Sequence, residues 1–180
     1  DDLDMVRRLE DAGAAAITMH SLFEEQLQVE AEATWTHLDA HDNTSAEATS
    51  YFPRPGEFAL GPDNYLEQLR RIKSAVRVPV VASLNGTTGR GWTEYARRIE
   101  QAGADALELN VYMVATDPRV TGAAIEQRIL EAARLVRASV AIPVAVKLSP
   151  YFSSVANLAT RLDDEGVHGL VLFNRFYQPD

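Results

Sequence analysis

Lys147 and Ser149 close an apolar run from Val140 to Pro150, VAIPVAVKLSP. A lysine placed where a buried strand meets solvent is suited to chemistry, because the strand fixes its stem while the ammonium faces the space beyond the strand end. Alone, such a lysine equally well solvates the strand end. Other short apolar runs finish in a similar way, on Thr18, His20 and Ser21, on Ser83 and Asn85, on Glu108 and Asn110, and on Asn174 and Arg175. Three asparagines and a lysine form a set of hydrogen-bond donors and acceptors around one positive charge. That set suits a planar, amide-bearing ligand whose reduced form accumulates negative charge: carboxamides orient its heterocyclic edges and Lys147 stabilises the charge. Each asparagine taken singly also suits a helix cap or a turn. Their recurrence at equivalent places favours a site.

The elements that must position these residues alternate along the chain. Asp1 to Ala12 reads as a helix, with Leu3, Val6 and Leu9 on one face and Gly13 closing it. Ala14 to His20 reads as a strand, Asn64 to Ala75 as a helix, Val78 to Leu84 as a strand and Trp92 to Ala102 as a helix. Ala106 to Val111 follows as a strand on which Glu108 and Asn110 share a face by the period of two. A helix over Ala123 to Ser139 leads into the Lys147 strand; a helix over Val155 to Asp164 and a strand over Gly169 to Phe173 complete the pattern. From Leu22 to Gly61 the periodicity dissolves into acids, Thr, Ser and Pro, the composition of a lid or binding loop. His37, Asp39, His41 and Asp42 lie within it and have metal-ligand chemistry, but with no further anchoring residue nearby a solvated acidic loop is the better reading and no metal is expected.

Alternating helices and short apolar strands imply parallel strands with crossover helices. The chain also echoes itself. RRLEDAGAAAI (Arg7 to Ile17), RRIEQAGADAL (Arg97 to Leu107) and TRLDDEGVHGL (Thr160 to Leu170) are copies of one helix-Gly-strand unit, and VRVPVVASLNG (Val76 to Gly86) and VAIPVAVKLSP are copies of another. No G-x-G-x-x-G fingerprint marks an open dinucleotide fold, so the repetition suits a (β/α)8 TIM barrel. Five strands in 180 residues fall short of the roughly 250 residues of a complete barrel. The expectation is a single, incomplete α/β-barrel domain over 1–180, lacking its first strand and last two, with a parallel sheet open at both edges.

Composition excludes several classes. A net charge of −9 argues against wrapping nucleic acid. No stretch has the length of an apolar membrane span, and the absence of cysteine removes disulfide and thiolate chemistry. A cytoplasmic protein acting on a small molecule is expected, and the open sheet edges favour a homo-oligomer.

ASLNG at Ala82 to Gly86, ELN at Glu108 to Asn110, VKLSP at Val146 to Pro150 and FN at Phe173-Asn174, in that order and spacing, resemble the flavin-contacting segments of dihydroorotate dehydrogenases, and more closely the dihydroorotate dehydrogenase-like proteins. The resemblance implies an α/β barrel that binds FMN, with Asn85, Asn110, Lys147 and Asn174 near the isoalloxazine and a pyrimidine substrate, and Ser21 beside the flavin. It implies oxidation of dihydroorotate to orotate, in which a base removes a proton from one carbon while hydride passes to the flavin.

The departures fall on the substrate side. Where the family places a catalytic Cys or Ser, three residues after the asparagine, this chain has Met113, and the Pro-Asn that follows in the family reads Val114-Ala115. Methionine cannot accept a proton. A second family lysine falls at Met19, with His20 beside it, and the nearest counterpart of the asparagine-rich substrate loop, SYFPRPGEF, has no asparagine. His20 and Tyr112 are the substitute bases to consider, His20 because imidazole titrates near neutrality. Two other readings stay open: a Schiff-base aldolase-type barrel using Lys147 as nucleophile, and a non-catalytic partial barrel.

Overall fold

The computed structural model describes residues 3–23, 62–85, 89–111 and 116–174. Ten elements alternate along them: α1 (Leu3–Asp11), β1 (Ile17–Phe23), α2 (Pro62–Ala75), β2 (Val80–Asn85), α3 (Gly89–Gln101), β3 (Ala106–Asn110), α4 (Gly122–Ser139), β4 (Val144–Leu148), α5 (Val155–Asp164) and β5 (Gly169–Leu172). The strands form one sheet in the order β1-β2-β3-β4-β5, every pair parallel. Among the described residues β1 and β5 each pair on one side only, so the sheet is open at both edges, as a partial barrel requires.

Most element bounds shift by a few residues from the sequence reading, and both ends of β1 do so with a structural reason. Strand β1 begins at Ile17 rather than Ala14, because the backbone N–H of Ala14 still bonds to Leu9 O and belongs to the helix end. It also continues through Leu22 and Phe23, which the sequence reading assigned to the long loop. Leu22 is 1% exposed and pairs in register with Leu84, so burial extends the strand where sequence periodicity fades. The remainder of that loop, with the metal-type residues His37, Asp39, His41 and Asp42, lies outside the described residues. Among the described residues no helix is long and apolar enough to cross a membrane.

The three copies of the helix-Gly-strand unit adopt one local structure. Gly13, Gly103 and Gly166 have φ of 93°, 96° and 79°, where an L side chain is strained, and a Cβ there would meet nothing within 4 Å. The backbone therefore demands glycine, not the packing. Each helix end closes with the same pair of bonds: Gly13 to Glu10 O and Ala14 to Leu9 O, Gly103 to Glu100 O and Ala104 to Ile99 O, Gly166 to Asp163 O and Val167 to Leu162 O.

Side chains in these units then aim the following strands. Glu10 Oε1 accepts from the N–H of Arg77 (2.7 Å) and Val78 (3.2 Å), just before Pro79, and Glu100 Oε1 accepts equivalently from Ala141 (2.6 Å) and Ile142 (3.1 Å), before Pro143. Asp105 and His168 are a second equivalent pair. Asp105 Oδ2 accepts from Val80 N (2.6 Å) while its own N–H donates to Val80 O; His168 Nδ1 accepts from Val144 N (3.1 Å) while its N–H donates to Val144 O. An imidazole does there what a carboxylate does one unit earlier.

The helices cover one face of the sheet. Val80, Ala82, Leu84, Leu107, Leu109, Val144, Val146 and Leu148 form its buried layer and pack with Leu69, Ile72, Ile99, Ala133 and Leu158 from the helices. Each fully buried leucine or isoleucine contributes on the order of 1.5–3 kcal/mol. By the two-residue alternation of strands, the opposite, inner face carries the intervening side chains. Those are the residues with chemistry.

Candidate functional site

Two rows cross the inner face. In register, Ser21 pairs with Ser83, Ser83 with Glu108, Glu108 with Ala145 and Ala145 with Gly169. One step nearer the carboxyl ends, Asn110 pairs with Lys147 and Lys147 with Val171, while Phe23 pairs with Asn85. Parallel strands thus bring to one end of the sheet groups that lie far apart in sequence.

Five of the side chains there, together with Asn174, form a continuous chain of hydrogen bonds. Asn174 Nδ2 donates to Asn110 Oδ1 (2.8 Å), and Asn110 Nδ2 donates to Ser21 Oγ (3.5 Å). Ser21 Oγ lies 2.7 Å from Ser83 Oγ, Ser83 donates to Glu108 Oε1 (3.0 Å), and Lys147 Nζ donates to the same oxygen (3.3 Å). Asn174 is held from the other side by its own backbone N–H, bonded to Leu148 O at 2.7 Å. Ser83, Glu108 and Asn110 are buried, whereas the Lys147 side chain is 27% exposed. The interior of the sheet anchors the network, and its cationic end reaches solvent.

A bulge in β1 makes this possible. Thr18 pairs with Val81 and Ser21 with Ser83, so Met19 and His20 together stand opposite Ala82. The extra residue shifts the phase of the strand and brings Ser21 onto the inner face. It also opens the ladder beside Ser83, where Tyr65 of α2 fills the gap: the Ser83 N–H donates to the Tyr65 hydroxyl (3.0 Å), which donates to Ser83 O (3.2 Å). Tyr65 is fully buried, and its pKa is pushed up to about 12, first by loss of water, with the nearby Glu108 charge acting the same way against the opposing Ser83 backbone bond. His20 packs its ring edge-on against Tyr65, with centroids 5.3 Å apart. Although His20 is exposed as a residue, partial loss of water around it lowers its pKa, which favours the neutral imidazole at pH 7.

Of the residues singled out from sequence, Ser21, Asn110, Lys147 and Asn174 are brought together. Asn85 ends β2 beside Phe23 and takes no part in the hydrogen-bonded chain among the described residues. His20 lies against Tyr65 rather than in that chain. Ser149 accepts from Tyr151 N (3.2 Å) and shapes the turn after β4. Tyr112, Met113 and Arg175 lie outside the described residues. Tyr65 and the central place of Glu108 were missed. Glu108 carries a signal, an acid within an apolar strand on the face of Asn110, whereas Tyr65 lies among the apolar residues Leu66, Leu69 and Ile72 of its helix and nothing local sets it apart. Among the described residues no group of three or more His, Asp or Glu is arranged to hold a metal ion.

The donor set suits the edge of a planar, amide-bearing ring. Lys147 has three donors and the Glu108 contact uses one, and Asn110 and Asn174 offer carboxamide groups at the same end of the sheet. No family model matches the chain. Curated relatives do: 32% identity over 120 residues with the catalytic subunit of dihydroorotate dehydrogenase B (NAD(+)) of Geobacillus kaustophilus, covering 63% of this chain and 37% of that protein. The corresponding subunits of Methanocaldococcus jannaschii (29%, 63% of this chain, 38% of that protein) and Geobacter sp. strain M21 (32%, 64% and 38%) match over similar lengths.

The chain is similar to dihydroorotate dehydrogenase catalytic subunits.

Its matched segments span less than two fifths of those relatives. Solved structures give the fold independently. A dihydrodipicolinate synthase from Agrobacterium tumefaciens superposes with a TM-score of 0.60 at 14% identity over 93% of this chain and 46% of its own. YagE, an Escherichia coli K12 prophage protein of the dihydrodipicolinic acid synthase family, superposes with 0.55 at 19% over 90% and 43%. At such identities the likeness establishes the architecture alone: a partial α/β barrel.

Proposed function

We propose that this chain forms the cofactor-side part of an FMN-binding oxidoreductase of the dihydroorotate dehydrogenase kind, acting on a small molecule, a pyrimidine or a related ring, through a rewritten proton-abstracting step. The observation that carries this is the hydrogen-bonded chain from Asn174 through Asn110, Ser21 and Ser83 to Glu108 and Lys147. It supports the reading because the same positions carry the sequence resemblance. FMN, when bound, supplies an acceptor for hydride from a substrate C–H bond.

The residues that would hold it are Lys147, Asn110, Asn174 and Ser21, with Asn85 at the neighbouring strand end. Lys147 provides the fixed positive charge where negative charge develops, and it acts from a strand end already ordered by Glu108. The carboxamides of Asn110 and Asn174 orient each other, so little freedom remains to be lost on binding. The step that departs from the family pattern the sequence resembles is removal of the substrate proton, since that pattern has a Cys or Ser where this chain has Met113. His20 is the proposed base: its lowered pKa leaves the imidazole neutral and able to accept a proton at pH 7.

A Schiff-base role for Lys147 ranks below this reading. That chemistry needs a free amine, promoted by apolar burial or a neighbouring cation, and the group found beside Lys147 is a carboxylate. The deciding experiment is the visible absorption spectrum of the purified protein before and after incubation with FMN. Flavin bands are expected, and their bleaching by candidate ring substrates under anaerobic conditions identifies the reductant. A protein that stays colourless with excess FMN overturns the proposal.

A further inference from the structure

Among the described residues, Glu108 is the only acid, and Lys147 the only lysine or arginine, in the five strands. The Glu108 side chain is 8% exposed, and a carboxylate at that depth is unfavourable unless it is paired and hydrogen-bonded. It is both: Ser83 Oγ and Lys147 Nζ converge on Oε1, and Ser83 is itself fixed through Ser21 and the two Tyr65 bonds to its backbone. Packing gives no reason for an acid there, because Ala145 and Gly169 complete the same row without polar groups. The chain of donors from Asn174 onward runs one way and ends on this carboxylate. Lys147, four-carbon stem and all, is thereby held by a rigid anion rather than left to swing in solvent.

We propose that Glu108 is a positioning residue: it holds the Lys147 ammonium against the inner face of the sheet and sets the net positive charge that the strand ends present to an anionic ligand atom. This rests on the flavin reading only for the identity of that ligand. The positioning itself is a property of the protein alone.

The chain has two lysines, Lys73 and Lys147. Lys73, paired with Asp105 at 2.6 Å on the helix side, is an internal reference. Both are labelled with an amine-acylating reagent across a range of pH and followed by peptide mass spectrometry in wild type and Glu108→Gln. The Lys147 rate at fixed pH is expected to rise about fivefold to tenfold and the Lys73 rate to stay constant, since losing the carboxylate releases the ammonium from the hydrogen bond that holds it. A folded Glu108→Gln protein with an unchanged Lys147 rate overturns the proposal. If that variant fails to fold, Glu108→Asp, which keeps the charge and shortens the reach, decides: a rise of about threefold is expected, and an unchanged rate overturns it. In preparations that bind FMN, Glu108→Gln is also expected to shift the flavin midpoint potential upward. A Lys147 response in a protein that takes no FMN sustains the positioning role and rejects only the flavin reading. FMN binding without a Lys147 response rejects the positioning role alone.

Discussion

Ser21 Oγ and Ser83 Oγ meet at 2.7 Å because β1 has two residues, Met19 and His20, where β2 has only Ala82. A strand without that bulge would turn Ser21 to the helix side and leave the Asn110 amide without the hydroxyl that it now donates to. Replacing Ser83, at the centre of this arrangement, tests how far the network stabilises the fold. Ser83→Ala removes one donor from Glu108 and one partner from Ser21, and is expected to cost about 1–3 kcal/mol. Urea unfolding followed by circular dichroism measures it; a loss near zero would mean that water replaces the hydroxyl without penalty.

Tyr65 closes the gap that the bulge leaves. Tyr65→Phe strands the buried N–H and C=O of Ser83 and is expected to destabilise the protein by about 1–3 kcal/mol at pH 7.

The same tyrosine predicts alkaline behaviour. Its folded pKa, raised from 10.0 to about 12, means that the native state favours the neutral phenol. This contribution is fully present below pH 10 and is lost as pH rises towards 12, about 2–3 kcal/mol in all. Stability measured between pH 9 and 12 should fall less steeply in Tyr65→Phe than in wild type. Parallel slopes would contradict the assignment.

Asp105 predicts the opposite limb. Desolvation, the largest single influence, acts upward, but the Lys73 and Val80 hydrogen bonds and the Lys73 charge together outweigh it and hold its pKa below 3.8. The resulting stability is present above that value and is lost as pH falls through the lower, folded one. Acid unfolding of Asp105→Asn should therefore show a shallower pH dependence than wild type, beginning from a lower stability at pH 7.

His168 does for Val144 what Asp105 does for Val80. His168→Asp should accordingly retain near-wild-type stability, whereas His168→Leu, with no acceptor for the Val144 N–H, should lose about 1 kcal/mol. Equal losses in the two variants would show that ring packing matters there rather than the accepted bond.

Lys147→Ala removes the positive charge at the strand ends. Reduction of bound FMN by the substrate that bleaches it is expected to slow about 100-fold or more, read by anaerobic stopped-flow absorbance, and stability is expected to fall as well because the buried Glu108 carboxylate loses its cationic partner. An unaffected rate would remove Lys147 from the site.

The sequence by itself determined the alternation of helices and parallel strands, because the helical and strand periods, the closing glycines and the repeated units are local patterns. It also determined which side chains reach the strand ends: Ser21, Asn110, Lys147 and Asn174 are legible from where each apolar run stops. What it left open depends on register. No local pattern records that β1 carries an extra residue opposite Ala82, so the face on which Ser21 lies, and the division between Ser21 in the network and His20 against Tyr65, became visible only when β1 was laid beside β2. Glu108 and Lys147 are separated by 39 residues and meet only through the β3–β4 pairing. Pairing between strands is a long-range property, and it alone decided that the lysine at the end of VAIPVAVKLSP faces a buried carboxylate.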